Sequence, residues 1–149
     1  MQLTKFSDYA LRVLIHLAVA DGQRLSTRDI AAAQSASFNH LAKVTQWLAN
    51  EGYVHATRGR QGGMVLARTP EEISIGTLMR KAEAGSAIVE CLRADGGACA
   101  LSPACGLTGI LSEAQEAFFA CLDTRSLADI INANQGIARI VHNLHAAAR

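Results

Sequence analysis

Two helix starts placed close together, Ser26-Thr27-Arg28-Asp29 and Ser37, constrain this chain more than any other feature. In the first, a serine is followed three places on by an acid, the pattern in which side chain and backbone cap each other. Ile30-Ala31-Ala32-Ala33 then supplies a short helix, Gln34–Ala36 breaks it, and Ser37 opens a helix reaching about Asn50. Leu41, Val44, Thr45 and Leu48 recur at helical spacing and form its expected buried line. Ahead of both, a longer helix is predicted from about Thr4 to Ala20, with Phe6, Leu11, Leu14, Ile15 and Ala18 as its apolar stripe and Asp21-Gly22 as its stop. Two short helices joined by a tight turn make a helix-turn-helix.

The polar face of the helix after Ser37 carries Asn39, His40, Lys43 and Gln46. Asn and Gln pair bidentately with adenine, and Lys reaches guanine or phosphate, so the face suits a major-groove reader; the alternative is a solvated helix face. Trp47, at its edge, is expected to be partly packed. The next segment favours the reader. Tyr53–Thr57 and Met64–Ala67 are strand-like runs around Arg58-Gly59-Arg60-Gln61-Gly62-Gly63. Directly after a helix-turn-helix, a glycine-rich basic hairpin is a wing, its two arginines offering fixed charge to phosphate or a narrow minor groove. Charge agrees. The formal net charge is only +1, yet residues 1–70 hold eight Lys and Arg against four Asp and Glu, and residues 71–149 hold six against nine. A basic half joined to an acidic half implies two jobs.

The acidic half begins with a turn or helix start at Thr69-Pro70-Glu71-Glu72, and a short helix is expected over Ile75–Ala84. From Cys91 to Cys105 no helical or strand period exists, and a loop of that length in a small domain usually carries a function. It holds Cys91, Cys99 and Cys105, spaced C-x7-C-x5-C around Gly96-Gly97. Three thiolates on such a loop can wrap one soft metal centre, iron or zinc. A helix over Leu107–Leu122 follows, with Leu107, Leu111, Ala114, Phe118 and Cys121 as a heptad-like seam for pairing between subunits. Cys121 is read as a small hydrophobe on that seam. A final helix is predicted over Leu127–Asn132, placed to brace the wing or the first helix, and the tail beyond Gly136 is compatible with a helix but has little in the sequence to fix it.

Thr4-Lys5-Phe6-Ser7-Asp8-Tyr9-Ala10-Leu11-Arg12, Phe38-Asn39-His40-Leu41-Ala42-Lys43, Gly52-Tyr53-Val54, Arg58–Gly63, Pro103-Ala104-Cys105 and Ser126-Leu127-Ala128-Asp129 together resemble the IscR/NsrR family of iron–sulfur regulators, and within it the nitric-oxide-sensing branch. The resemblance implies a homodimeric winged-helix repressor on palindromic double-stranded operator DNA, released when nitric oxide damages its cluster, so that detoxification genes are derepressed. It implies an iron–sulfur cluster, 4Fe-4S in preference to 2Fe-2S, on Cys91, Cys99 and Cys105. IscR-like members place a histidine three residues after the last cysteine, where this chain has Thr108; the nitric-oxide branch uses a first-helix carboxylate, and Asp8 matches it. The alternative for Asp8 is a first-turn acid favoured by the helix dipole. The first cysteine gap is longer than the family's usual one, and Gly96-Gly97 has the freedom to absorb it. The DNA-contact set that follows is Arg12, Ser37, Asn39, His40, Lys43, Arg58 and Arg60.

The expected fold is mainly α with a small β-hairpin wing, a winged helix-turn-helix plus a long dimerisation helix. Residues 1–70 form the DNA-binding domain and 71–149 the cluster loop and dimerisation helices. Rival readings are an IscR-like regulator of cluster biogenesis and a zinc-bound or cofactor-free winged-helix regulator. A thiol enzyme has no support, since no C-x-x-C motif is present and no histidine lies near the cysteines. With no secretory signal and no apolar run long enough for a bilayer, the expected location is cytoplasmic.

Overall fold

The computed structural model describes residues 2–57, 59, 62–134 and 136–148. Helix α1 (Lys5–Val19) starts at Thr4, whose hydroxyl accepts from the Ser7 amide at 3.2 Å. Thr4 also donates its amide and hydroxyl to Glu83 Oε1, at 2.8 and 3.0 Å, tying the start of α1 to the end of α4 (Ile75–Ala82). α1 ends as Asp21 and Gly22 turn to positive φ. Its buried residues are Ser7, Ala10, Val13, Leu14, His16 and Leu17. Only Leu14 belongs to the expected stripe; Phe6, Leu11, Ile15 and Ala18 flank the core half-buried. The difference has a packing cause. α1 touches the elements called α3, α4, α6 and α7 below, so its cover comes from several sides and includes polar partners.

Helix α2 (Thr27–Ala33) shows the reciprocal capping box between Ser26 and Asp29. Ser35, at φ 50°, makes the turn, and α3 (Phe38–Asn50) buries Leu41, Val44, Thr45 and Leu48, as the spacing predicts. Ser37 stands at the N-cap of α3 without a side-chain capping bond. Strands β1 (Val54–Thr57) and β2 (Gly63–Leu66) pair antiparallel with Val54 opposite Leu66 and Thr57 opposite Gly63. Leu25, in the link before α2, adds a bridge to Met64 through amide–carbonyl bonds of 2.8 and 3.2 Å. A Cβ on Gly63 would stand 3.2 Å from Leu25 O, so this close approach favours a glycine.

A single 3-10 turn at Pro70–Glu72, capped reciprocally by Thr69 and Glu72, leads to α4. Helix α5 (Leu107–Asp123) packs along α4, and α6 (Leu127–Asn132) packs on α1 and the Pro70 turn. Helix α7 (Gly136–Ala147) lies against α1 and α2, held by buried Val141 and by His145. The tail is therefore fixed by a short apolar face, Val141 buried with Ile137 and Ala138 half-buried beside it, and by the polar contact of His145. The core draws on both sides of Pro70: Leu14, Ile30, Leu41, Leu48, Ile73, Leu78, Met79 and Leu127 belong to one buried cluster. No helix among the described residues is long and apolar enough to cross a membrane.

Candidate nucleic-acid interface and cysteine loop

Because α3 spends one face on the core, the other is free: Ser37, Asn39, His40, Lys43 and Gln46 are all exposed. Gln46 Nε2 donates to Asn50 Oδ1 at 2.9 Å. An open groove of about 1010 Å³ runs between α3 and the hairpin, lined by Ser26, Thr27 and Arg28 at the start of α2, by Thr45 and Gln46, and by His55 and Thr57 of β1. Arg24 Nη1 donates to Thr57 Oγ1 at 2.7 Å, at the end of β1 nearest the hairpin tip, and the Arg28 guanidinium stands 6.0 Å from the Phe38 ring centre. Sequence reasoning missed Arg24, Thr27 and Arg28. The signal was the capped start of α2, where Ser26, Thr27 and Arg28 line the groove. Arg58 and Arg60 lie outside the described residues.

Arg12 belongs to a different neighbourhood. Its guanidinium grips both oxygens of Asp8, at 3.0 and 2.8 Å, and donates through Nη1 to Gln34 Oε1 at 3.0 Å. Gln34 is the C-cap of α2, so this cation connects α1 to the helix-turn-helix corner. The chain of bonds continues. Gln34 Nε2 meets His16 Nε2, and His16 Nδ1 lies 2.8 Å from His145 Nε2 on α7. Arg12 can only donate, so Gln34 turns its oxygen to Arg12 and its NH2 to His16. His16 Nε2 must then accept, which places the imidazole proton on Nδ1, where it donates to His145. Burial, and secondarily the neighbouring His145, hold His16 down to about 4, so it is neutral.

The loop between α4 and α5 is not wholly irregular: Cys91 lies in a 3-10 turn over Glu90–Leu92, and Cys105 follows another over Ser102–Ala104. Gly96 and Gly97 both have positive φ and turn the chain back on its start. There the Ala98 amide donates to Glu90 Oε1 at 3.1 Å, and a Cβ on Gly97 would come within 2.6 Å of Glu90 Cγ. The Cys91 sulfur is 3.4 Å from the Thr108 hydroxyl in the first turn of α5. Cys91, Cys99 and Cys105 are free and half-buried, a donor set whose softness suits iron. Among the described residues, no three or more His, Cys, Asp or Glu side chains are gathered as a metal site would gather them, and Asp8 is held by Arg12 instead.

α5 presents two apolar faces. Leu111, Phe118, Phe119 and Leu122 turn inward, where Arg80 of α4 forks onto Glu116 and Asp123 and lies 5.0 Å from the Phe119 ring centre. Leu107, Ile110, Ala114, Ala117 and Cys121 recur at heptad spacing and are exposed. The seam expected from sequence mixes the two faces, and Cys121 is exposed within the chain rather than packed.

A family model described as Rrf2, iron-dependent transcriptional regulator, matches residues 3–133. The chain is 46% identical over 132 residues to the HTH-type transcriptional regulator NsrR of Geobacillus kaustophilus, spanning 88% of this chain and 90% of that protein. It is 41% identical over 138 residues to the HTH-type transcriptional repressor NsrR of Streptomyces coelicolor, spanning 91% and 92%. Among solved structures it is similar to CymR, the global cysteine regulator of B. subtilis, with a TM-score of 0.64, 26% identity, and coverage of 90% of this chain and 98% of that one.

Proposed function

The chain belongs to the Rrf2 family of winged-helix transcriptional regulators, and from that premise we propose that it is a homodimeric repressor of the NsrR type whose hold on operator DNA is set by an iron–sulfur cluster sensitive to nitric oxide. In this reading residues 1–70 contact DNA and residues 71–149 carry the cluster loop and the dimer helices. α3 enters the major groove with Asn39 reading bases and Lys43 and His40 beside it, Ser37 meets the backbone, and Arg58 and Arg60 between the strands anchor the duplex. The observation that carries the reading is the free polar face of α3 beside an open groove, on a chain that also holds three free thiols on one doubled-back loop.

Cys91, Cys99 and Cys105 would hold the cluster, with Asp8 of the same or the second subunit as fourth ligand. When bound, the cluster supplies an iron centre with one hard, displaceable carboxylate partner, open to a diatomic such as nitric oxide. The chain's own part is exchange at Asp8. Both its oxygens are engaged by Arg12, so ligation must free at least one, and Arg12 also holds Gln34 at the helix-turn-helix corner. Asp8's state is thereby passed to the placement of α3. A hundredfold change in operator affinity needs only about 2.7 kcal/mol of coupling. The test uses anaerobically iron-loaded protein and duplex DNA selected by it from a random pool, with binding measured before and after nitric oxide. About a hundredfold loss is expected. Unchanged affinity with the cluster present overturns the sensing reading, and a colourless zinc-containing protein overturns the cluster.

A further inference from the structure

A second concavity, of about 220 Å³, lies between α1 and α3 and is lined by Lys5, Phe6, Tyr9, His40, Lys43 and Val44. Its floor is apolar and firmly set. Val44 is in the core, and Phe6 is held by the Trp47 ring, whose centre lies 5.3 Å away at 73°. Its rim is cationic: Lys5 and Lys43 are exposed, no acidic side chain lines the pocket, and neither amine has an ion-pair partner among the described residues. The Arg12 guanidinium stands 6.0 Å from the Tyr9 ring centre. His40 and Lys43 also belong to the exposed face of α3, so the pocket continues the reading face onto α1 without a break.

We propose that this pocket takes the sugar–phosphate backbone flanking the half-site read by α3, with Lys5 and Lys43 on phosphate and the Tyr9 ring against deoxyribose. The inference rests on the DNA-reading role proposed above and extends the interface to a helix that the helix-turn-helix pattern does not include. The chemistry is complementary part by part. A phosphodiester carries one negative charge and needs donors, and the sugar between two phosphates offers an apolar face to an aromatic floor. A small anion would use the amines and leave the floor bare. An apolar ligand would bury the floor but bring nothing to the rim.

The experiment measures binding of the iron-loaded protein to its selected duplex and to a random duplex across a range of salt concentrations. Lys5 is exposed at the start of α1, so Lys5→Gln leaves the core untouched. It is expected to weaken both duplexes alike and to reduce the slope of log affinity against log salt by about 1.8, the loss of one phosphate contact from each subunit of the dimer. Replacing single flanking phosphates by neutral methylphosphonates locates the contact: one position weakens wild type and has no further effect on Lys5→Gln. Tyr9→Ala is expected to weaken binding with the salt slope unchanged. An unaltered slope in Lys5→Gln, with wild type still selective for its duplex, overturns the pocket assignment and leaves the reader intact. Wild-type protein showing no sequence preference overturns the underlying reading instead. If Lys5→Gln shifts the monomer–dimer equilibrium without touching the slope, the pocket is a contact between copies and the proposal fails.

Discussion

His16 sits on α1 with 1% of its surface exposed, surrounded by apolar side chains except where Gln34 and His145 reach it. Burial and His145 hold it down to about 4, against 6.5 in an unfolded chain. The sign of the consequence is fixed. Above pH 6.5 both states carry a neutral ring and the stabilisation is whole. Below it the unfolded chain takes up the proton first, so stability falls, by about 3 kcal/mol in all, until the folded state titrates near pH 4. Urea unfolding of wild type and His16→Gln across this window is expected to show the variant losing less stability on acidification; equal losses would refute it. His145→Gln should shallow the wild-type loss without removing it, since burial is the larger cause. Legibility in the sequence divides at this same residue. On α3, Leu41, Val44, Thr45 and Leu48 are readable from spacing because the helix has one buried face. On α1 they are not, because buried Ser7 and His16 meet polar partners from distant parts of the chain, Glu83 and His145, and apolar periodicity carries no trace of them.

Among the elements, the pair α4 and α5 shows how a close approach escapes sequence patterns. Gly76, in the first turn of α4, faces the end of α5, and a Cβ there would overlap the Asp123 side chain and come within 2.7 Å of its Cα. Part of the obstruction is backbone, which cannot rotate aside. Gly76→Ala gains about 0.5–1 kcal/mol of helix propensity but overpacks this contact at a typical cost of about 1–3 kcal/mol. The clash wins, and it also disturbs Asp123 where Arg80 holds it at 2.9 Å. A lower urea midpoint is expected for Gly76→Ala, with Gly85→Ala, which meets nothing within 4 Å, close to wild type. A Gly76→Ala midpoint at or above wild type would show that α5 yields. Capped starts such as Ser26–Asp29 were legible because both partners lie in one short stretch. The two faces of α5 were not, since a helix that is apolar toward its own core and toward solvent presents one blurred period.

At the scale of the whole molecule, the basic and acidic halves share one core, so α1 and α3 are not free to move apart from the half that carries the thiols. A change at Asp8 is one salt bridge and one amide from the helix-turn-helix corner. One apolar surface that the single chain leaves uncovered is the outer seam of α5, with Ile110 at 65% and Leu107 at 54% exposure. Heptad spacing of Leu107, Ile110, Ala114, Ala117 and Cys121 suits a second copy of the same helix, with the small residues letting the two approach closely. Ile110→Asp changes a residue with no role in its own chain's core, so each subunit should fold while pairing is lost. Sedimentation velocity is expected to show monomers. Affinity for a duplex with two half-sites should then fall by about 10²–10⁴, the advantage of linked binding, while affinity for a single half-site stays near wild type. A variant that still sediments as a dimer would place the interface elsewhere. One that is monomeric yet binds two half-sites undiminished would separate pairing from DNA recognition.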